Sequence, residues 1–381
     1  MDIKKLRSPF KSIYDIYDVL KLWNTFLGVA CFSTTEGIDG KKIYFYDKGD
    51  NILPAVVSAI SFTSFSMVFF QRCYQMDTEV DDLIFKGSYF FFCSGAILCR
   101  FTFVRRMDRF LDAHNLIEEV DAMLRKRGID VNYEDSRAMA KTIMKYTFCT
   151  TFVIYLIYAD QNVAEDTRLY HFICVCFGIS FSMATILVEI AYLLHMAIII
   201  RQRLKQLGIH LVKLRKTRNS KLVEQELQMI ATVHLKLCKS WGLTADVLGP
   251  AIICLHGVFY LYCFFPLTFF DYILPRMKYE MAPMLILLFL IMSKILSLLA
   301  KLKEEGNKLN KTVIEFSLDE GINEPIIGKM CKTLLLQMEH IEISNVFNGF
   351  FVVDAEALLA GIKSCSTYMM FFLQLNNSNM F

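Results

Sequence analysis

The sequence predicts an all-α integral membrane protein with seven transmembrane helices, its N-terminus cytoplasmic and its C-terminus extracellular. Three observations predict it. Of 381 residues, 55% are hydrophobic, with 33 Phe and 17 Tyr and a mean hydropathy of +0.39, more apolar and aromatic than a soluble domain usually is. The apolar residues gather into stretches of the roughly twenty residues that a bilayer span requires. Finally, 33 of the 41 Lys and Arg fall in alternate segments between those stretches, against three in the opposite set. Short basic loops stay cytoplasmic, so this asymmetry sets the orientation.

Taken in order, residues 1–51 form a cytoplasmic N-terminal region. Its start is basic, but no short apolar stretch with a small-residue cleavage site follows, so no cleaved signal peptide is expected. The apolar stretch from Ile13 to Ser33 contains Asp15, Asp18, Lys21 and Asn24, each costly at bilayer depth, which predicts an interfacial or re-entrant helix. The seven spans run from Ile52 to Tyr74, Leu83 to Val104, Ile143 to Ala159, Tyr170 to Ile200, Val247 to Tyr272, Met281 to Ala300 and Val352 to Leu375, and residues 376–381 are an extracellular tail. Between spans, apolar residues recur at helical spacing among charges. Leu116, Val120 and Leu124 form one stripe, ending at Arg125-Lys126-Arg127-Gly128, where basic groups meet the negative helix end and Gly suits a left-handed cap. Leu222, Leu227 and Ile230, with His234 to Leu237, predict a helix entering the fifth span. Ile327, Cys331, Leu334, Leu335, Met338 and Ile341 predict a third. Such helices either pack into a cytoplasmic domain or lie flat on the inner leaflet.

Several function classes are excluded or left without support. A net charge of +3 supplies no field for nucleic acid. No hydrolase elbow, P-loop, metalloprotease or dinucleotide motif occurs, and no clustered metal ligands, so neither an enzyme, a cofactor nor a metal site is expected. The seven His are dispersed and read as structural. The twelve Cys have no zinc or disulfide spacing and read as small buried hydrophobes.

Ionisable groups inside spans are more informative, because they usually face a bundle interior or a water-filled path. Glu189 in the fourth span and Lys294 in the sixth either pair with each other or serve such a path. Polar and aromatic residues crowd the outer halves of several spans: Tyr89, Ser94, Tyr155, Tyr158, Ser182, Tyr260 and Tyr262. They suit a cavity for a small amphipathic ligand, or an interfacial aromatic belt. Pro250 and Pro266 in the fifth span permit kinking. In the last span, steps of three or four from Gln374 reach Met370, Thr367 and Lys363, then Glu356, so one face holds most of the polar groups. Copies of this helix around a symmetry axis would line a pore, with Gln374 a polar constriction and Met370 an apolar one. Asp354 and Glu356 at the inner mouth would favour cations, while Lys363 opposes them. The alternative is that this face packs on the chain's own helices.

The C-terminal run Thr367-Tyr368-Met369-Met370-Phe371-Phe372-Leu373-Gln374-Leu375, after Gly349 to Asp354 and Leu358-Leu359, resembles the insect gustatory receptor signature of Thr-Tyr, five apolar residues, then Gln-Phe. Leu375 stands where that family usually has Phe, at a position associated with the narrow part of its pore. Length, seven spans, inverted orientation and long cytoplasmic helices agree with the resemblance. It implies a subunit of a tastant-gated, non-selective cation channel in the plasma membrane of a sensory neuron. It implies a homo- or heterotetramer, with residues 352–375 lining the pore and Thr367, Tyr368, Gln374 and Leu375 as motif residues. Residues 52–351 would form a ligand-binding bundle with a cytoplasmic anchor. Two Trp and few outer carboxylates make no dense cage for a sugar, which favours a bitter or other apolar tastant. A G-protein-coupled receptor has the opposite orientation. A secondary transporter is the competing reading, since Glu189 and Lys294 suit ion coupling, although no internal repeat is visible.

Overall fold

The computed structural model describes residues 94–131, 181–217, 219–268, 275–318, 325–341, 343–349 and 351–378, two short strands at 33–36 and 42–45, and positions 56, 59, 60, 63, 133, 138, 142 and 145. The expected N-terminal interfacial helix, and most of the first three spans, lie outside the described residues. What is described is helical apart from two small hairpins. Strand β1 (Ser33–Glu36) pairs antiparallel with β2 (Lys42–Phe45), an element the sequence reading did not anticipate.

Helical residues 94–105 lead almost directly into α1 (Met107–Lys126). The Arg106 amide donates to the Thr102 carbonyl and the Phe110 amide to that of Arg106, so the ladder crosses the junction. Helix α1 buries Phe110, Ile117, Val120 and Leu124, centring the apolar stripe on Ile117 rather than Leu116. Its end is the one its residues predict. Gly128 takes φ 71°, its amide donates to the Arg125 carbonyl and that of Ile129 to the Leu124 carbonyl, both at 3.0 Å, which together form a Schellman cap.

Three long helices follow: α2 (Phe181–Leu214), α3 (Ser220–Thr268) and α4 (Pro275–Ser317). At 1.5 Å per residue α3 is about 70 Å long, more than twice the hydrocarbon thickness of a bilayer. Each helix contains a segment long and apolar enough to cross a membrane, the three found among the described residues. Helix α2 is buried on every side from Ala184 to Ile200, as an all-apolar helix requires, and packs against α3 and α4. Asn219 caps α3 by accepting from the Leu222 amide at 3.2 Å.

Beyond the membrane-length segments, the charged extensions of α2, α3 and α4 join α1 and α5 (Pro325–His340) in a second bundle. Helix α5 buries Ile327, Cys331, Leu334 and Met338, the stripe expected from sequence, so this helix is packed and does not lie alone. At the bundle's centre is a buried ion pair. The Arg203 Nε donates to Asp121 Oδ1 at 2.6 Å and Nη2 to Oδ2 at 3.3 Å; the Tyr133 hydroxyl also donates to Asp121, and the guanidinium lies 4.9 Å from the Tyr133 ring centre. Burial pushes the Asp121 carboxyl up, against the pull of Arg203. Nearer the membrane segments, Phe103, Phe110 and Tyr192 form an aromatic cluster with centroids 5.2 to 6.1 Å apart, joining the 94–126 run to α2.

Candidate functional site

The last helix, α6 (Ala355–Ser378), presents the site. Glu356, Lys363, Thr367, Tyr368, Met370 and Gln374 are all exposed on it. The face that sequence spacing marks as polar is therefore the face the chain leaves uncovered. Part of its polarity is satisfied locally: the hydroxyls of Ser364, Ser366 and Thr367 donate to the carbonyls four residues earlier at 2.9 to 3.0 Å, which lowers the cost of carrying them into a membrane. The Leu375 side chain lies outside the described residues.

The other side of α6 rests on α3. Leu358 is buried, and Gly361, Ile362 and Cys365 are partly so. Gly361 has a specific reason to be glycine, since a β-carbon there would fall on the Tyr260 ring. The Tyr260 hydroxyl donates to the Ala357 carbonyl at 3.4 Å. Tyr260 was expected to line a ligand cavity or an aromatic belt; the structure puts it against α6.

The start of α6 also differs from the expected span. Strand β3 (Val346–Phe347) pairs antiparallel with β4 (Phe351–Val352) in a hairpin, and the helix begins only at Ala355. Its turn contains Asn348 at φ 50° and Gly349 at φ 77°, a conformation that Asn and Gly tolerate. The signal was legible: an Asn-Gly pair between Val346-Phe347 and Phe351-Val352 is a strong hairpin pattern. Asp354, expected at the mouth of a pore, caps α6 by accepting from the Ala357 amide at 2.7 Å. The hairpin is pinned to α3 along its length. Trp241 Nε1 donates to the Ser344 carbonyl at 2.8 Å, Phe347 meets the Trp241 ring edge-on at 6.1 Å, and His256 meets Phe351 at 5.1 Å. A β-carbon at Gly249 would approach Asn348 Nδ2 to 2.9 Å, so the bare backbone of α3 at Gly249 leaves room for the Asn348 side chain of the turn. One rigid helix thus contacts both the hairpin and the first half of α6.

The intramembrane charges separate. Glu189 is fully buried, and neither carboxylate oxygen has a hydrogen-bond partner among the described residues; the cation within electrostatic reach is Arg100, which itself donates to Thr185 Oγ1. Lys294 is exposed on α4. Of the other residues expected to line a cavity, Ser94 is half-buried at the start of the helical run 94–105. Tyr89, Tyr155 and Tyr158 lie outside the described residues, as do the side chains of Ser182 on α2 and Tyr262 on α3. No group of three or more metal-ligating side chains comes together among the described residues.

No family model matches the sequence, and no curated protein does. Among solved structures the chain is similar to the insect olfactory receptor OR5 from Machilis hrabei, at 14% identity and a TM-score of 0.68, over 94% of this chain and 99% of that one. The structure of that receptor in complex with eugenol is similar over the same shares, at 14% identity and a TM-score of 0.64. At this identity the likeness is one of fold: the chain has the helical multi-pass membrane fold of an insect olfactory receptor.

Proposed function

We propose that this chain is a chemoreceptor subunit of the gustatory kind, forming a ligand-gated, non-selective cation channel with three other subunits. The observation that carries the reading is the uncovered polar face of α6, from Glu356 to Gln374. A helix that carries Lys363, Thr367 and Gln374 through a membrane needs cover from lipid, and copies meeting on an axis would supply it while leaving a polar path between them. The Thr-Tyr and Gln motif positions lie on this helix. The fold supports the same reading, because the receptor it resembles has been solved with eugenol, a small molecule. The ligand here would be a bitter or other largely apolar tastant, held among the outer halves of the spans. Cytoplasmic orientation of the charged bundle follows from the Lys and Arg asymmetry, and the working location is the plasma membrane of a sensory neuron.

Expression of the chain in an insect cell line, with membrane current recorded during application of bitter compounds and sugars, tests the proposal. A ligand-evoked cation current is expected, with permeation or gating altered in Gln374→Ala. Saturable uptake without channel currents would instead establish the transporter reading. Glu189 is buried near Arg100 and Lys294 is exposed on another helix, so that alternative would rest on Glu189 with Arg100 in place of Lys294.

A further inference from the structure

Lys363 is the one basic residue of the last span, and the packing of α6 fixes the side on which it lies. With about 100° of rotation per residue, Glu356, Lys363, Thr367, Met370 and Gln374 fall close to a single line along the helix, and all five are exposed. The opposite line meets α3. Leu358 there is buried, a β-carbon at Gly361 would fall on the Tyr260 ring, and Cys365 Sγ lies 4.0 Å from the Tyr260 carbonyl oxygen. Helix α6 cannot turn Lys363 out of the uncovered stripe without giving up that contact. Lys363 comes eight residues after Ala355, about 12 Å along the axis, a depth at which an ammonium facing lipid is costly. Among the described residues it forms no ion pair. Asp354 is engaged in capping the helix, and Glu356 sits two turns nearer the helix start, about 10 Å along the axis.

Resting on the channel reading above, in which this stripe lines the pore, we propose that Lys363 sets which cations pass: monovalent cations cross and divalent cations are held back. Copies of α6 about the axis place one ammonium from each subunit at a single level of the ion path. The electrostatic work of passing that level is proportional to the charge of the ion. A ring that slows Na⁺ about tenfold therefore slows Ca²⁺ about a hundredfold, and the permeability of Ca²⁺ relative to Na⁺ falls by the first of these factors. Na⁺ and K⁺ carry the same charge, so the ring does not separate them. Two features keep it from closing the pore to cations. Side chains on a helix lean toward its N-terminus, which brings the ammonium toward the Glu356 carboxylate and offsets part of its charge. From Lys363 outward to Gln374 the span carries no further charged residue, so the barrier is confined to one level.

Reversal potentials test this. The full chain is expressed in an insect cell line, current is evoked with caffeine, quinine or denatonium, and external Na⁺ is replaced in turn by K⁺ and by Ca²⁺. The native channel should be much less permeable to Ca²⁺ than to Na⁺. Lys363→Gln should raise the Ca²⁺ to Na⁺ permeability ratio about tenfold, and Lys363→Glu should raise it further. Lys363→Arg should keep the native ratio, and the K⁺ to Na⁺ ratio should stay fixed in all three. Lys363→Cys reads the same charge within one recording, and keeps the question decidable if the Gln and Glu variants carry no current: a positively charged methanethiosulfonate should lower Ca²⁺ permeation and a negatively charged one should raise it. Evoked cation current whose Ca²⁺ to Na⁺ ratio no variant or reagent moves overturns the role of Lys363 and leaves the channel reading standing. Evoked current carried by chloride in the native protein overturns it too. Absence of evoked current at full surface expression removes the channel reading, and this inference with it.

Discussion

Arg203 and Asp121 are both fully buried, and each is the other's compensation. Removing one leaves an uncompensated charge, so Arg203→Ala should destabilise the charged bundle by about 3–5 kcal/mol. The double substitution Arg203→Met with Asp121→Leu should cost much less, because no charge remains to be stranded. Thermal unfolding of the detergent-solubilised protein, followed by Trp241 fluorescence, distinguishes the two outcomes. Gly361 is a residue-scale constraint of another type. Gly361→Ala forces either the Tyr260 ring or α6 to move, at about 1–3 kcal/mol, and because α6 carries the exposed polar face, a shift in ligand sensitivity or basal current should accompany the loss. Tyr260→Leu in the same background should relieve the clash.

At the scale of the element, the β3–β4 hairpin joins the charged bundle to α6 and is held by α3 at Trp241, Gly249 and His256. Gly349→Ala places a β-carbon on a residue at φ 77°, costing about 1–2 kcal/mol. Asn348→Gly removes a side chain without backbone strain and should be tolerated better. If the hairpin sets the register of α6, Gly349→Ala should alter gating at unchanged surface expression. An unchanged dose–response curve would reduce it to a passive connector. Helix α6 is amphipathic in an unusual sense, with one side fitted to α3 and the other uncovered, and only the second side was expected from spacing alone.

At the scale of the molecule, burial drives the pH response of the charged bundle. Burial lowers His114 to about 4, against the hydrogen bond that its Nδ1–H donates to the Phe110 carbonyl, and lowers His234 to about 4. Both are neutral in the fold and titrate near 6.5 when unfolded. Their stability contribution is therefore intact above pH 6.5 and is lost as pH falls toward 4, by up to about 3 kcal/mol each. Melting temperature should drop over that window, and the slope should flatten in His114→Asn with His234→Asn. A slope unchanged in the double variant would assign the acid sensitivity to other groups.

Much of the architecture was readable without coordinates, because hydropathy, charge asymmetry and helical periodicity are local properties of a chain. The Schellman end of α1 at Gly128, the buried stripe of α5 and the polar face of α6 all follow from residues within a few turns of one another. What sequence could not supply were relations between residues far apart in the chain. Arg203 meets Asp121 across 82 positions, Tyr260 meets Ala357 across 97, and Arg100, not Lys294, is the cation near Glu189. The hairpin before α6 was legible in Asn348-Gly349, but the apolar residues around it match the start of a span equally well. Spacing identifies a helix face, whereas packing decides which face is covered, and that decision belongs to the tertiary structure.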